Sequence, residues 1–321
     1  MSRSIVSKPL QQGVRWLSAL WKFSRPHTII GTTLSVMGLA IMALGDVSRE
    51  SLISPAQSGF QLVPWIFSAL IPSLCANVYI VGLNQLEDIE IDRINKPALP
   101  LASGEFSRTE GLAIVGTTGA LALVLSAIQG NFLFLTVMLS MAIGTVYSLP
   151  PLRLKRFPFW AALCIFGVRG FIVNLGFFLH FQQILGRSPS IPPQVWALTL
   201  FVVLFAFAIA IFKDIPDAKG DRLFQIRTLT LRLGIPAVFK LARWVLTGCY
   251  GMMIVITLLG WLPIQATVLI VTHVGLLIWL WIRSLKVDLH EKDQMSQFYQ
   301  FIWKLFFLEY LIFPLACLWK G

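Results

Sequence analysis

Along the chain, nine long apolar runs alternate with short polar stretches, near residues 27–47, 60–83, 108–129, 132–149, 157–181, 193–212, 237–259, 262–282 and 298–318. A hydrocarbon core of about 30 Å takes about 20 apolar residues of helix to cross. Each run is of that order, and stretches such as "FVVLFAFAIAIF" are apolar on every face. A β-barrel would show short segments of alternating polarity instead. The pattern predicts an all-α, polytopic membrane protein of nine transmembrane helices. Residues 1–26 read as a polar, basic cytoplasmic arm, and residues 27–318 as a single transmembrane domain. The first apolar run is too long for a cleavable signal and lacks a small-residue cleavage site, so the N-terminus is expected to stay on.

Composition supports this class: of 321 residues, 56% are hydrophobic and 13% charged, with mean hydropathy +0.76. The net charge of +11 raises nucleic acid as a partner. Its distribution removes the need. Of 26 Lys and Arg, 21 lie in the arm and around the loops after helices 2, 4, 6 and 8. That alternation is the positive-inside rule for nine helices with a cytoplasmic N-terminus, and no nucleic-acid partner is expected. Cys75, Cys164, Cys249 and Cys317 are dispersed and read as small apolar fillers. His27, His180, His273 and His290 are equally scattered, without the spacing of a zinc site.

Two acidic clusters stand out against this background. In "NQLEDIEIDRINKP", residues 84–97, Asn84, Asp88 and Asp92 recur every four residues and would form one polar stripe on a helix continuing out of the second span. In "KDIPDAKGDR", Asp214, Asp217 and Asp221 are spaced by three and four. Four helices separate the clusters, so both emerge on the cytoplasmic side. Facing carboxylate stripes repel unless cations lie between them. Mg2+ prefers carboxylate and phosphate oxygens, so Asn84, Asp88, Asp92, Asp214, Asp217 and Asp221 read as metal ligands of a diphosphate clamp. Either cluster alone would read as a solvated helix end; matched spacing on one side favours the clamp. The loop "YSLPPLRLKR" brings Arg153 and Lys155 to the same surface. With Arg93, Lys96 and Lys213 they are candidate diphosphate-binding residues, although topology alone also accounts for basic residues there.

The combination Asn84-x-x-x-Asp88-x-x-x-Asp92 and Asp217-x-x-x-Asp221 resembles the intramembrane aromatic prenyltransferases of the UbiA superfamily. More narrowly, "FSRPHTIIGT", "NVYIVGLNQLEDIEIDRINKPALPLASGEFS", "YSLPPLRLKRF", "VRGFIVNLG" and "FYQFIWKLFFLEY" look like its homogentisate phytyltransferase branch, from about Trp21 to the last helix. The resemblance implies a helical ring around a central cavity, capped by cytoplasmic loops and open sideways to lipid. It implies Mg2+ as cofactor, with Asp88, Asp92, Asp217, Asp221 and Tyr147 catalytic. The implied reaction moves a phytyl (prenyl) group from its diphosphate to homogentisate with decarboxylation, giving 2-methyl-6-phytyl-1,4-benzoquinol in tocopherol synthesis. Attack is expected at the ring carbon bearing the acetate arm, with Tyr147 steadying the allylic cation through its ring face. The short arm is unlike a plastid transit peptide, which suggests a cyanobacterial type in thylakoid or plasma membrane. The alternatives are chlorophyll synthase or another quinone-ring prenylator, and a transporter of divalent cations or organic anions. Against a transporter, the spans carry few ionisable groups toward the far side.

Arg169, in "VRGFIVN", lies about 12 residues into the fifth span, roughly 18 Å deep at 1.5 Å per residue. An arginine there needs a partner. Glu309 sits at matching depth in the ninth span. Two expectations follow: an Arg169–Glu309 pair joining helices, or an Arg169 that, with Asn174, receives the acetate carboxylate of homogentisate. Phe171, Phe177 and Phe178 read as tunnel lining or as lipid-facing filler.

Overall fold

A computed structural model describes residues 8–45, 55–224, 226 and 228–318. Among them the chain is helical throughout: α1 (Lys8–Phe23), α2 (Pro26–Gly45), α3 (Pro55–Glu87), α4 (Ile89–Asn95), α5 (Pro100–Ser103), α6 (Arg108–Gln129), α7 (Asn131–Ser148), α8 (Pro158–Phe166), α9 (Val173–Ile184), α10 (Pro193–Phe212), α11 (Asp214–Leu223), α12 (Leu229–Leu233), α13 (Ile235–Leu258), α14 (Ala266–Ser284) and α15 (Lys292–Leu318). Nine spans among the described residues are long and apolar enough to cross a membrane. They are α2, Leu62–Glu87 of α3, α6, α7, Pro158–Ile184, α10, α13, α14 and α15. The protein is an integral membrane protein.

Local sequence explains several boundaries. At the start of α6, Ser107 Oγ accepts from the Glu110 amide at 3.2 Å, and Glu110 Oε2 accepts from the Ser107 amide at 2.8 Å. This reciprocal cap satisfies two amides that a helix start otherwise leaves unpaired. The fifth span is one rod with a π-helical turn, Gly167–Ile172, between α8 and α9. The arm differs from expectation. Lys8–Phe23 is an amphipathic helix that buries Ala19 and Phe23 against Leu86, Leu101 and Phe106 and turns Val14, Leu17 and Trp21 outward. Its apolar residues follow the helical period, which its basic content masks.

Apolar surface gains little by leaving lipid, so close packing holds the spans together. Gly170 lies against Val203 and Gly176 against Thr136, where any Cβ would overlap the neighbour. In the centre, Phe201 and Phe205 of α10 meet Tyr250 of α13 and Phe306 of α15, with ring centroids 5.6 to 6.4 Å apart. Phe177 and Phe178 belong to this core, wholly or nearly buried, while Phe171 is exposed. The first two are therefore packing residues and do not line a tunnel. Polar segments gather at one end, where α4 packs on α5 and α11 and the 3-10 turn Leu154–Arg156 packs on α7.

Candidate active site

The first acidic motif is not one continuous helix. Asp88 has φ −113° and ψ 18° and separates α3 from α4. Its carboxylate leaves the expected stripe for the 149–157 loop. Oδ1 accepts from Arg153 Nη2 at 2.9 Å, and Oδ2 from Lys155 Nζ at 2.6 Å. Arg153 holds a left-handed backbone, φ 37°, and also donates to the Glu87 carbonyl at 3.3 Å. Asn84 is half-buried one turn before Asp88 on α3.

One turn further, Asp92 is 4% exposed, and its Oδ2 has no hydrogen-bond partner among the described residues. Lys96 Nζ stands 4.0 Å from Asp92 Oδ1 and forms an ion pair with Asp217. Asn95 makes the second bridge. Its Nδ2 donates to Asp221 Oδ1 at 3.4 Å and its Oδ1 accepts from the Gly220 amide at 3.0 Å. Gly220 is the residue that allows this approach, because a Cβ there would overlap the Asn95 amide. At the start of α11, Lys213 donates to the Tyr147 hydroxyl at 2.9 Å and lies 3.6 Å from Asp214 Oδ1.

These carboxylates are short of positive charge. Burial, then Asp217 and Asp214, push Asp221 up to about 7. Burial also raises Asp92, against the pull of Arg25 and Lys96, and raises Asp214, against that of Lys213. Across the site, burial lowers Lys155 while Asp88 opposes the shift. The orphaned Asp92 oxygen and the crowded α11 carboxylates fit a hard divalent cation. Among the described residues no three acidic, histidine or cysteine side chains converge on one point. Mg2+ is usually held by one or two carboxylates with water and substrate phosphate.

Deeper in the bundle, the π-turn carries Arg169. Its guanidinium carbon lies 5.1 Å from the Trp303 ring centre and 5.4 Å from that of Phe306. The expected Arg169–Glu309 pair does not form. Glu309 Oε2 faces His273 Nε2 at 3.2 Å, with both side chains fully buried. Equal depth did not bring the two residues together because Glu309 is turned toward α14. Asn174 is fully buried, and its Oδ1 accepts from the Tyr310 hydroxyl at 2.5 Å.

Residues 28–305 match the UbiA prenyltransferase family. The chain belongs to that family. It is 53% identical to homogentisate phytyltransferase of Synechocystis sp. over 94% of this chain and 96% of that one. It is 42% identical to homogentisate phytyltransferase 1, chloroplastic, of Arabidopsis thaliana over 93% of this chain and 75% of the relative. In fold it is similar to a solved UbiA homolog of Archaeoglobus fulgidus bound to DMAPP and Mg2+. The TM-score is 0.61 at 18% identity, covering 93% of this chain and 98% of that one.

Within this member of the family, Asp88, Asp92, Asp214, Asp217, Asp221, Tyr147, Lys96, Arg153, Lys155 and Lys213 are gathered at one end of the bundle. Arg93 is not among them. It pairs with Glu90 at 2.8 Å on the exposed side of α4, because the residue after Asp92 points about 100° away on a helix. Asn174 meets Tyr310 and has no exposed surface for a ligand. Sequence reasoning missed Arg25, His27, Asn95 and Tyr299. Arg25 and Lys96 act electrostatically on Asp92, and Lys213, Asp217 and Arg25 on Tyr299. The signals available were Arg25-Pro26 at a helix start and an amide three residues after Asp92. A cleft of about 370 Å³ flanks the site, bordered by Glu87, Glu90, Arg108, Arg153, Lys155 and Arg156. It touches the Asp88 clasp but not Asp92, Asp217 or Asp221, so it borders the site and does not contain it.

Proposed function

We propose that the protein transfers a phytyl group from phytyl diphosphate to homogentisate, releasing CO2 and diphosphate and forming 2-methyl-6-phytyl-1,4-benzoquinol. The observation that carries this reading is the joining of the two acidic motifs through Lys96 and Asn95, with Arg153, Lys155 and Lys213 around them. Asp88 and Asp92 on one side, and Asp217 and Asp221 on the other, are the residues that would hold Mg2+; Asn84 and Asp214 stand beside them. When bound, the ion stabilises the negative charge that grows on the departing diphosphate. Arg153, Lys155 and Lys96, which pair with Asp88 and Asp217, are the cationic side chains that would meet phosphate oxygens. Tyr147, whose hydroxyl accepts from Lys213, is the residue that would border the allylic cation. The names of the Synechocystis and Arabidopsis relatives support homogentisate as acceptor, and the ligands of the Archaeoglobus homolog support Mg2+ with a prenyl diphosphate donor.

Atom balance corrects one expectation. In the product the acetate arm survives as the methyl group, and the prenyl chain stands at position 6. The attacked carbon is therefore a ring carbon that bore hydrogen, not the one bearing the arm. Arg169 is the residue for the acetate carboxylate. It has no carboxylate partner among the described residues, and a planar guanidinium matches a carboxylate through two hydrogen bonds.

The purified protein in detergent, with no compartment to transport into, should release diphosphate from phytyl diphosphate only with both Mg2+ and homogentisate. A panel of donors compared by product mass should rank phytyl diphosphate first. Turnover independent of homogentisate would refute the acceptor assignment. The concentration of Lys and Arg in the loops at this end supports a cytoplasmic site. Cysteines placed at Arg93, Leu152 and Arg222 should accordingly react with an impermeant thiol reagent from that side alone, and labelling of any of them from the other side would break the topology.

A further inference from the structure

We propose that His27 is the proton acceptor of the transfer, taking the hydrogen that the acceptor ring loses when the prenyl group arrives; this rests on the reading of the site as a homogentisate prenyltransferase. His27 sits in the first turn of α2, one turn before Gly31. A Cβ on Gly31 would lie 2.9 Å from Arg169 Nη1, so this edge of α2 faces the guanidinium assigned to the acceptor carboxylate. The His27 and Trp303 rings are 4.8 Å apart, and Arg169 lies over the same indole at 5.1 Å. Arg25, Arg169 and Lys96 are the charged groups that act electrostatically on His27, and Lys96 pairs with Asp217 of the second acidic motif. The imidazole thus stands between the residues assigned to diphosphate and the residue assigned to the acceptor.

His27 is half-buried, and among the described residues neither ring nitrogen has a hydrogen-bond partner. The other histidines are unsuited. His273 Nδ1 donates to the Leu269 carbonyl at 2.9 Å and its Nε2 faces Glu309, all in the core. His180 is fully buried, and His290 lies on an exposed turn at the start of α15. Asp88, Asp217 and Asp221 are held by Arg153, Lys155, Lys96 and Asn95, and Asp92, whose Oδ2 is unpartnered, is assigned to the metal. A free imidazole between the two half-sites is the general base this arrangement offers.

The chemistry balances without a further reactant. The ring donates an electron pair to form the bond to the prenyl C1, and the C–O bond to diphosphate breaks with its pair going to oxygen. The attacked carbon then carries both the prenyl group and a hydrogen. His27 takes that hydrogen as a proton, and the C–H pair returns to the ring. Loss of CO2 leaves an electron pair on the methylene carbon of the arm, which takes up one proton to become methyl. One proton leaves the substrate and one enters it, so the imidazolium formed in the first event can supply the second.

The test uses the full-length protein in detergent with Mg2+, phytyl diphosphate and homogentisate, comparing wild type with His27→Gln and His27→Ala. Prenylquinol formation at saturation should fall about a hundredfold or more in both, while each substrate's KM stays within about threefold and the thermal midpoint near that of wild type. Added imidazole should restore a measurable part of the His27→Ala rate and none of the His27→Gln rate, since only alanine leaves room for it. A His27→Gln protein with at least a third of the wild-type rate would overturn the proposal. So would a defect confined to the homogentisate KM, or a loss in His27→Ala that imidazole does not touch. A wild-type protein unable to prenylate homogentisate would sink the underlying reading instead, a result distinguishable from an active wild type beside an unimpaired variant.

Discussion

Replacing Asp88 or Asp217 by Asn is expected to reduce turnover by at least about a thousandfold, close to 4 kcal/mol in the barrier, with the double variant scarcely worse. The physical reason is that the two carboxylates, in motifs joined by Lys96 and Asn95, are proposed to serve one shared diphosphate. Once either side is lost, the departing charge is no longer held from both directions, and the second loss removes little that still functions. Groups acting as a unit are strongly non-additive in this way. Asn preserves the shape of each side chain, so Arg153, Lys155 and Lys96 keep a polar neighbour and the fold is retained. Rates at saturating Mg2+, with thermal midpoints measured alongside, check the expectation. A single variant with near-normal turnover would mean that the motifs work independently.

Arg169→Gln is expected to raise the KM for homogentisate at least tenfold, about 1.4 kcal/mol, while leaving the KM for phytyl diphosphate nearly unchanged. Arg169 lies over Trp303 and Phe306 and has no carboxylate partner among the described residues, which is the ground for proposing that its charge serves a ligand. Glu309→Gln should not reproduce the phenotype, because Glu309 faces His273 from a fully buried position. Arg169→Lys should rescue little, as an ammonium lacks the planar pair of donors and packs less well on the indole. Steady-state kinetics with each substrate varied separately will decide. An unchanged homogentisate KM in a stable Arg169→Gln protein would remove Arg169 from the acceptor site.

The nine spans were legible in the sequence because crossing a membrane is a local property of length and polarity, readable one segment at a time. The grouping of Asp88, Asp92, Asp217 and Asp221 was legible for a similar reason: an even number of spans returns the chain to the same side. What the sequence could not supply was rotation about helix axes and the choice among nearby partners. Arg93 and Lys96 belong to the same loop and looked equivalent, yet Lys96 reaches Asp217 while Arg93 turns out to Glu90. Asp88 was read on one face with Asp92, but a break at Asp88 itself hands it to Arg153 and Lys155. Depth along the membrane normal paired Arg169 with Glu309 on paper. Depth carries no azimuth, and His273, read as an isolated histidine, takes Glu309 instead. His27 lay within a stretch noted for its resemblance, but nothing in its neighbours along the chain marks it as facing Arg169.

The central claim is that the two acidic motifs and Arg169 serve a single reaction, prenyl transfer coupled to loss of the acetate carboxylate. The most direct test is stoichiometry. Homogentisate labelled with 13C at the carboxyl carbon is incubated with phytyl diphosphate, Mg2+ and the purified protein, and labelled CO2, diphosphate and prenylated product are counted together. The account predicts one labelled CO2 and one diphosphate per molecule of an unlabelled methyl-phytyl-benzoquinol. A prenylated product that retains the labelled carboxyl group, or diphosphate released without any prenylated homogentisate, would contradict it.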